Sequence, residues 1–452
     1  MGRGLLSSTS AMLTPDLLHA SLADPLLDVM NFLNEIAIRF PQAISFAPGR
    51  PNEKFYDSRQ IATYLDVYQR YLREERGFSE AKVTSLLFQY GRTNGHIGEL
   101  LARMLEKDEG IRVAPESIVV TVGCQEGMFL SLRALFSQPE DVLLVGMPCY
   151  IGITGAARLL DIAVAPVPER EDGLDLDALE ARILELRAEG KKPRALYLVA
   201  DFANPSGRSL PEASRQRLLD IAAREQFLIL EDNPYGFFSR EGSRKPTLKS
   251  MDTRQQVIYL GSFSKSAFPG LRLGYAVVDQ RVAGPDGKTH LLADAFSKIK
   301  SLLTVNTSSL CQAIVGGMLV LNGGGLLEAN QEAIRFYKNN MDATLQALAR
   351  YFPRSEAWAR DVTWNVPDGG FFLVMKLPIE VDEALLEESA RDFQVLWTPM
   401  RYFYLGEGGE HELRLSCSYL TPEQIDVGIS RLARHLQKAV TERQAARRAL
   451  VG

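Results

Sequence analysis

The stretch GSFSKSAFPGLRLGY, residues 261–275, sets one lysine, Lys265, among small residues and hydroxyls, seven places before Arg272. A lysine at the mouth of a buried pocket loses solvation, its pKa falls, and the neutral amine can condense with an aldehyde to form a Schiff base. Ser262, Ser264 and the guanidinium fork of Arg272 suit a phosphate. An aldehyde that carries a phosphate describes pyridoxal 5'-phosphate.

That ligand needs further groups, and the chain offers them. Its pyridine nitrogen requires a carboxylate that keeps it protonated, so that the ring draws electrons from a substrate's Cα; Asp232, ending the run FLILED, qualifies. The ring's phenolic oxygen requires donors, and Tyr235 and Asn204, the latter in NPSG, are available. An aromatic is expected against the ring face, and Tyr150 in PCY follows another strand. Gly123, Cys124 and Gln125 open a helix, where free amides and the helix dipole suit phosphate. Each fragment alone has an ordinary explanation: a surface lysine, a turn for NPSG, a cap or ion pair for Asp232, a core ring for Tyr150. Five of them in this order, each at a strand end, point to one site.

The elements that must position these residues are legible as well. From about residue 100 to 280, short β-branched runs (ESIVVTVG, DVLLVGMP, RALYLVADF, FLILEDNPYG, VIYLGSFSK, LRLGYAVVD) alternate with helical patterns. This predicts an α/β fold whose large domain holds a mostly parallel sheet covered by helices. Ligands of such sheets bind at the strand carboxyl ends. Beyond a helical region at 326–352 the pattern changes to VTWNV, GGFFLVMKL and HELRLSCSYL, then a closing amphipathic helix from Pro422, which predicts a smaller α+β domain. The expected division is 51–325 for the large cofactor-binding domain and 326–452 for the small one, with 1–50 packing on the small domain. No internal repeat is visible, and the basic tail RQAARRALVG is expected to be a frayed, solvated end.

Composition narrows the partners. At 452 residues, 46% hydrophobic and 24% charged, the chain can bury large cores. A net charge of -5 carries no electrostatic footprint for nucleic acid or an anionic membrane. Four cysteines without C-x-x-C spacing argue against a disulfide framework and against a metal site. With no signal-peptide core and no apolar run of spanning length, the expectation is a cytoplasmic protein with small-molecule partners.

Taken together, the chain resembles the fold-type I pyridoxal-phosphate-dependent aminotransferases of class I/II, from about residue 30 to the final helix. The Lys265-to-Arg272 spacing, APGRP (47–51) and GGFF (369–372) are most similar to the branch of the 2-aminoadipate and kynurenine aminotransferases. The resemblance implies an aspartate aminotransferase-like fold, Lys265 as Schiff-base lysine, Asp232 as nitrogen partner, Asn204 and Tyr235 on the phenolic oxygen and Tyr150 stacked. It puts Ser262, Ser264, Arg272, Gly123, Cys124 and Gln125 on the phosphate. It also implies two residues that stand out on no other ground. Arg414, in HELRLSCS, matches the arginine of the substrate α-carboxylate. Tyr90, in FQYGRTNG, matches a tyrosine that reaches the cofactor phosphate of a neighbouring subunit, so a homodimer with shared active sites follows. Gly49, Arg50 and Asn204 join Arg414 on the substrate side, where Arg50 either reads a substrate carboxylate or faces solvent. Cys124 departs from the Ser or similar small residue common there, and loop 91–96, with Arg92, is more polar and basic than the hydrophobic loops common there.

The expected reaction is amino-group transfer between an amino acid and a 2-oxo acid through Lys265. The alternative is another reaction at Cα on the same scaffold: β-elimination, decarboxylation or cyclisation. A ligand-sensing regulator is disfavoured, because the chain begins almost directly with the enzyme pattern and is acidic. Arg50 and the polar loop suggest a polar or acidic side chain on the donor, and the resemblance suggests 2-oxoglutarate as acceptor.

Overall fold

The computed structural model describes residues 13–24, 27, 29–242, 244–284 and 287–451. Eight strands form the main sheet: β1 (Ile118–Val122), β2 (Asp141–Met147), β3 (Ala163–Arg170), β4 (Gly173–Leu174), β5 (Lys192–Leu198), β6 (Leu228–Asp232), β7 (Val257–Ser262) and β8 (Leu273–Val277). Their spatial order is β1-β8-β7-β6-β5-β2-β3-β4. The pairs from β7 through β3 are parallel, whereas β8 runs antiparallel to both neighbours and β4 to β3. All seven residues of β2 and all five of β8 are buried, as expected of aliphatic strands covered on both faces. One face packs against Met128, Leu130 and Phe296, the other against Leu179, Leu218 and Ile221.

The helices that bear on the site are α1 (Arg59–Glu74), α2 (Gly123–Leu135), α3 (Ile151–Leu159), α4 (Ser309–Leu321), α5 (Gln331–Tyr351) and α6 (Pro422–Val451). α2 begins on the residue after β1, and α3 shortly after β2, so both helix starts lie at the carboxyl edge of the sheet. A second sheet of four antiparallel strands, β9 (Thr363–Trp364), β10 (Phe372–Lys376), β11 (Thr398–Pro399) and β12 (Glu412–Ser416), has the order β9-β10-β12-β11. Leu348 of α5 and Leu432 and Leu436 of α6 share one core with Leu373, Trp397 and Leu413. Ile44 and Ser45 pair in parallel with Val395 and Leu396, and Phe46 is buried in that same core.

One sequence expectation needs correction, and one strand is added. The basic tail is not frayed: the backbone of α6 stays helical to Val451, because Ala, Arg, Leu and Gln favour helix and no Gly or Pro interrupts them between Gly428 and Gly452. The small sheet also contains Thr398–Pro399, which no periodicity announced, since two residues carry no alternation. Among the described residues no helix is long and apolar enough to cross a membrane, and the four cysteines are free.

Candidate active site

A cavity of about 950 Å³ opens at the carboxyl ends of β2, β5, β6 and β7, between the two sheets. Gly49, Arg50, Cys124, Gln125, Tyr150, Asn204, Asp232, Tyr235, Ser262, Ser264, Lys265, Arg272 and Arg414 all line it. Two of the residues singled out from sequence do not. Gly123 stands behind the wall at φ +68°, where a Cβ would come within 2.5 Å of Arg272 Nη2, so only glycine leaves room for the guanidinium. Tyr90 is 86% exposed and away from this cavity.

Lys265 Nζ donates to the Gly49 carbonyl at 2.8 Å. Gly49 itself passes so close to Phe372 that a Cβ there would lie 2.2 Å from the ring. Burial, and then the Arg272 guanidinium, pull the Lys265 amine down to about 8, against the opposing pull of Asp232. Asp232 is 4% exposed. It accepts from Tyr197 Oη at 2.7 Å and from Cys124 Sγ at 3.3 Å. Burial raises its carboxyl to about 6, while those two donors and the Lys265 charge work the other way.

Arg414 is 5% exposed on β12. Its Nη1 donates to Asn204 Oδ1 and its Nη2 to the Ala47 carbonyl, both at 2.6 Å. The guanidinium carbon lies 4.4 Å from the Phe372 ring centroid and 4.9 Å from that of Phe403, so the cation is held between two aromatic faces. Its Nε is buried without a partner. No carboxylate of the described residues is ion-paired to Arg414, Arg272 or Lys265, an unusual state for Arg414, which is buried.

These features fit pyridoxal phosphate. Ser264 Oγ accepts from Arg272 Nη1 at 3.4 Å, and Ser262 Oγ accepts from the Ser264 amide at 3.2 Å, which gathers two hydroxyls and a guanidinium in one cup. α2 starts with no side-chain cap, so its first amides are free for an anion. The residues held no surprise in type; their convergence with a buried carboxylate and two further cations is what the cofactor's phosphate, ring nitrogen and aldehyde require.

The start of α2 has its own anchor. Glu126 accepts from the Val122 amide at 2.6 Å, from Lys300 Nζ at 2.7 Å and from Thr304 Oγ1 at 2.7 Å, and Lys300 is fully buried. Lys300→Met is expected to leave the Glu126 charge buried without its cation and to destabilise the protein by about 3–5 kcal/mol. Urea unfolding of the cofactor-free protein measures this, and Glu126→Gln added to Lys300→Met is expected to recover part of the loss. Unfolding midpoints equal to wild type in Lys300→Met would show that the pair has no such role.

Sequence reasoning missed Tyr197, Phe403 and Thr398, whose hydroxyl accepts from Arg414 Nη2 at 3.3 Å. Tyr197 left one signal, a lone phenol inside the aliphatic run ALYLV; Phe403 and Thr398 left none.

Comparison with known proteins agrees with the geometry. The chain is 48% identical over 424 residues to a (S)-3,5-dihydroxyphenylglycine transaminase of Amycolatopsis orientalis, covering 94% of each chain. The multiple substrate aminotransferase of Thermococcus profundus superposes with a TM-score of 0.79 at 29% identity, over 95% of this chain and 99% of that one. The α-aminoadipate aminotransferase of Thermus thermophilus, solved with N-(5'-phosphopyridoxyl)-L-leucine, gives 0.74 at 28% identity, over 94% and 98%. Matched over residues 57–432 by the pattern described as aminotransferase class I and II, the chain belongs to that family and is a pyridoxal-phosphate-dependent aminotransferase.

Proposed function

We propose that the cavity holds the cofactor with its phosphate on Ser262, Ser264, Arg272 and the start of α2, its ring nitrogen on Asp232 and its phenolic oxygen on Asn204 and Tyr235. Tyr150 lies against the ring in this reading. The observation that carries it is the convergence of Lys265, Arg272 and Arg414 on one cavity with no carboxylate paired to any of them. Bound pyridoxal phosphate supplies an aldehyde that exchanges amino groups and a protonated ring that draws electrons from the substrate's Cα. Lys265 anchors the cofactor and moves the proton at Cα, a task suited to an amine held near neutrality by burial. Arg414, immobilised between Phe372 and Phe403, binds the α-carboxylate of amino acid and 2-oxo acid alike.

The proposed donor has a polar aromatic side chain, and the proposed acceptor is a 2-oxo acid such as 2-oxoglutarate. The outer cavity combines Phe40, Ile44 and Leu420 with Gln42, Gln424 and Arg50, whose guanidinium lies 4.0 Å over the Tyr419 ring. That is an apolar slot with donors at its rim. The name of the relative at 48% identity, a transaminase of a dihydroxylated phenylglycine, supports the same class. We further place the enzyme in the cytoplasm as a homodimer with shared active sites, divided at 1–50, 51–325 and 326–452. Tyr90 at 86% and Leu302 at 92% exposure are apolar surfaces that a second copy would cover.

Steady-state kinetics test the substrate assignment. Arg414→Ala is expected to raise KM for every donor and acceptor by roughly 10- to 150-fold, the equivalent of about 1.5–3 kcal/mol for a charged contact. Arg50→Ala is expected to lower kcat/KM for hydroxylated aromatic and acidic donors and to spare aliphatic ones. A uniform effect of Arg50→Ala on all three classes removes Arg50 as the selector, and an unchanged KM in Arg414→Ala removes the α-carboxylate assignment.

A further inference from the structure

At the edge of the cavity, Asp232 is gripped by side chains from two elements. Tyr197, on β5 and 1% exposed, directs its hydroxyl to Oδ2 at 2.7 Å; Cys124, in the first turn of α2, directs its thiol to Oδ1 at 3.3 Å. Each carboxylate oxygen therefore has one donor. Both donors keep their protons at any working pH, because burial and the neighbouring Asp232 charge push the Cys124 thiol and the Tyr197 phenol well above their ordinary values.

We infer that Tyr197 and Cys124 are positioning residues that hold Asp232 as an oriented anion and thereby decide on which side of the contact with the cofactor ring the shared proton rests. The inference rests on the reading of Asp232 as the ring-nitrogen partner. A ring nitrogen and a buried carboxylate are both weak bases, and the stronger one keeps the proton. Burial strengthens the carboxylate as a base, and its pKa of about 6 is where that pull stands after the two donors and the Lys265 charge have opposed it. A donor to each oxygen stabilises the anion and weakens it again, which leaves the proton on the nitrogen, where it makes the ring an electron sink. The other titratable groups that feel the carboxyl are Lys265, beyond β7, which also favours the anion, and Cys149, Tyr150 and Tyr235, all held protonated chiefly by burial, with the Glu169 charge ahead of that of Asp232 for Cys149. The phenol is the closer and stronger donor, so it is expected to dominate.

The test uses Tyr197→Phe, which removes one oxygen atom and keeps the ring in its packing, and Cys124→Ala, with Cys124→Ser as the variant that restores a donor. In protein freed of cofactor and labelled with [13C]aspartate, the Asp232 carboxyl resonance, assigned by its absence in Asp232→Asn, is titrated. The midpoint is expected to rise by about one pH unit or more in Tyr197→Phe, by less in Cys124→Ala, and to return in Cys124→Ser. In the holoenzyme, kcat is expected to fall on the order of tenfold in Tyr197→Phe with little change in KM, since the substrate contacts are intact. Wild-type midpoints and wild-type kcat in Tyr197→Phe and in Cys124→Ala, alongside an inactive Asp232→Asn, overturn this inference and leave the role of Asp232 standing. A fully active Asp232→Asn overturns the role of Asp232 instead, whatever the midpoints.

Discussion

Lys265→Ala is expected to reduce turnover by roughly 10⁴-fold or more while the protein still binds pyridoxal phosphate without a covalent link. Two losses combine in one substitution. Alanine has no amine to anchor the cofactor, and it leaves no group beside Cα to move the proton. Neither function is duplicated nearby. Arg414 and Arg272 line the same cavity, but a guanidinium is a poor base and nucleophile, Tyr235 is held protonated by burial, and no second lysine lines the cavity among the described residues. The phosphate cup of Ser262, Ser264 and Arg272 does not involve the lysine, so cofactor affinity is expected to survive in part. Rapid mixing of the variant with amino donor, and mass spectrometry after borohydride reduction, measure the two losses separately. A variant that turns over normally, or that still carries a reducible cofactor adduct, would assign the anchor to another amine.

Asp232→Asn is the second large effect, expected at about 10²–10³-fold in kcat with the fold preserved. The substitution exchanges one oxygen for an amide nitrogen of nearly the same size at a buried position, so the core of Leu230, Leu260 and Tyr197 is undisturbed. What changes is charge. A neutral amide cannot hold a proton on the ring nitrogen, and Tyr197 and Cys124 would then face a group that no longer carries an anion for them to stabilise. KM is expected to move little, because Arg414 is held by Asn204 and Ala47 and not by Asp232 or its donors. Pre-steady-state measurement of the half-reaction with an amino acid checks this, and a wild-type rate would place the control of the ring nitrogen elsewhere.

How far the sequence carries is clearest at the strand ends. Asp232, Ser262 and Tyr150 each follow an aliphatic run, and in a covered parallel sheet that position faces the ligand edge, so local pattern and one topological rule suffice. The same holds for α2, whose start at Gly123 directly after β1 is a strand–helix junction readable from residue types alone. Arg414 is different. Its pattern is that of any strand arginine, and it was identified only through resemblance; its standing as a binding cation comes from Asn204, 210 residues away, and from the two rings of Phe372 and Phe403 that pack on it.

Periodicity and turn chemistry act over a few residues, so most elements and the chemical groups at their ends are written in local sequence, with the two-residue strand Thr398–Pro399 as an exception. Tertiary structure alone decided what each group touches. The Gly49 carbonyl reaches Lys265 across 216 residues, the Tyr197 phenol reaches Asp232 from an adjacent strand, and Gly123 is required because Arg272 passes within a Cβ radius of it. Such contacts depend on the register of neighbouring strands and on how one sheet lies against the other. They are fixed by close packing of side chains far apart in the chain, and no short-range pattern encodes them.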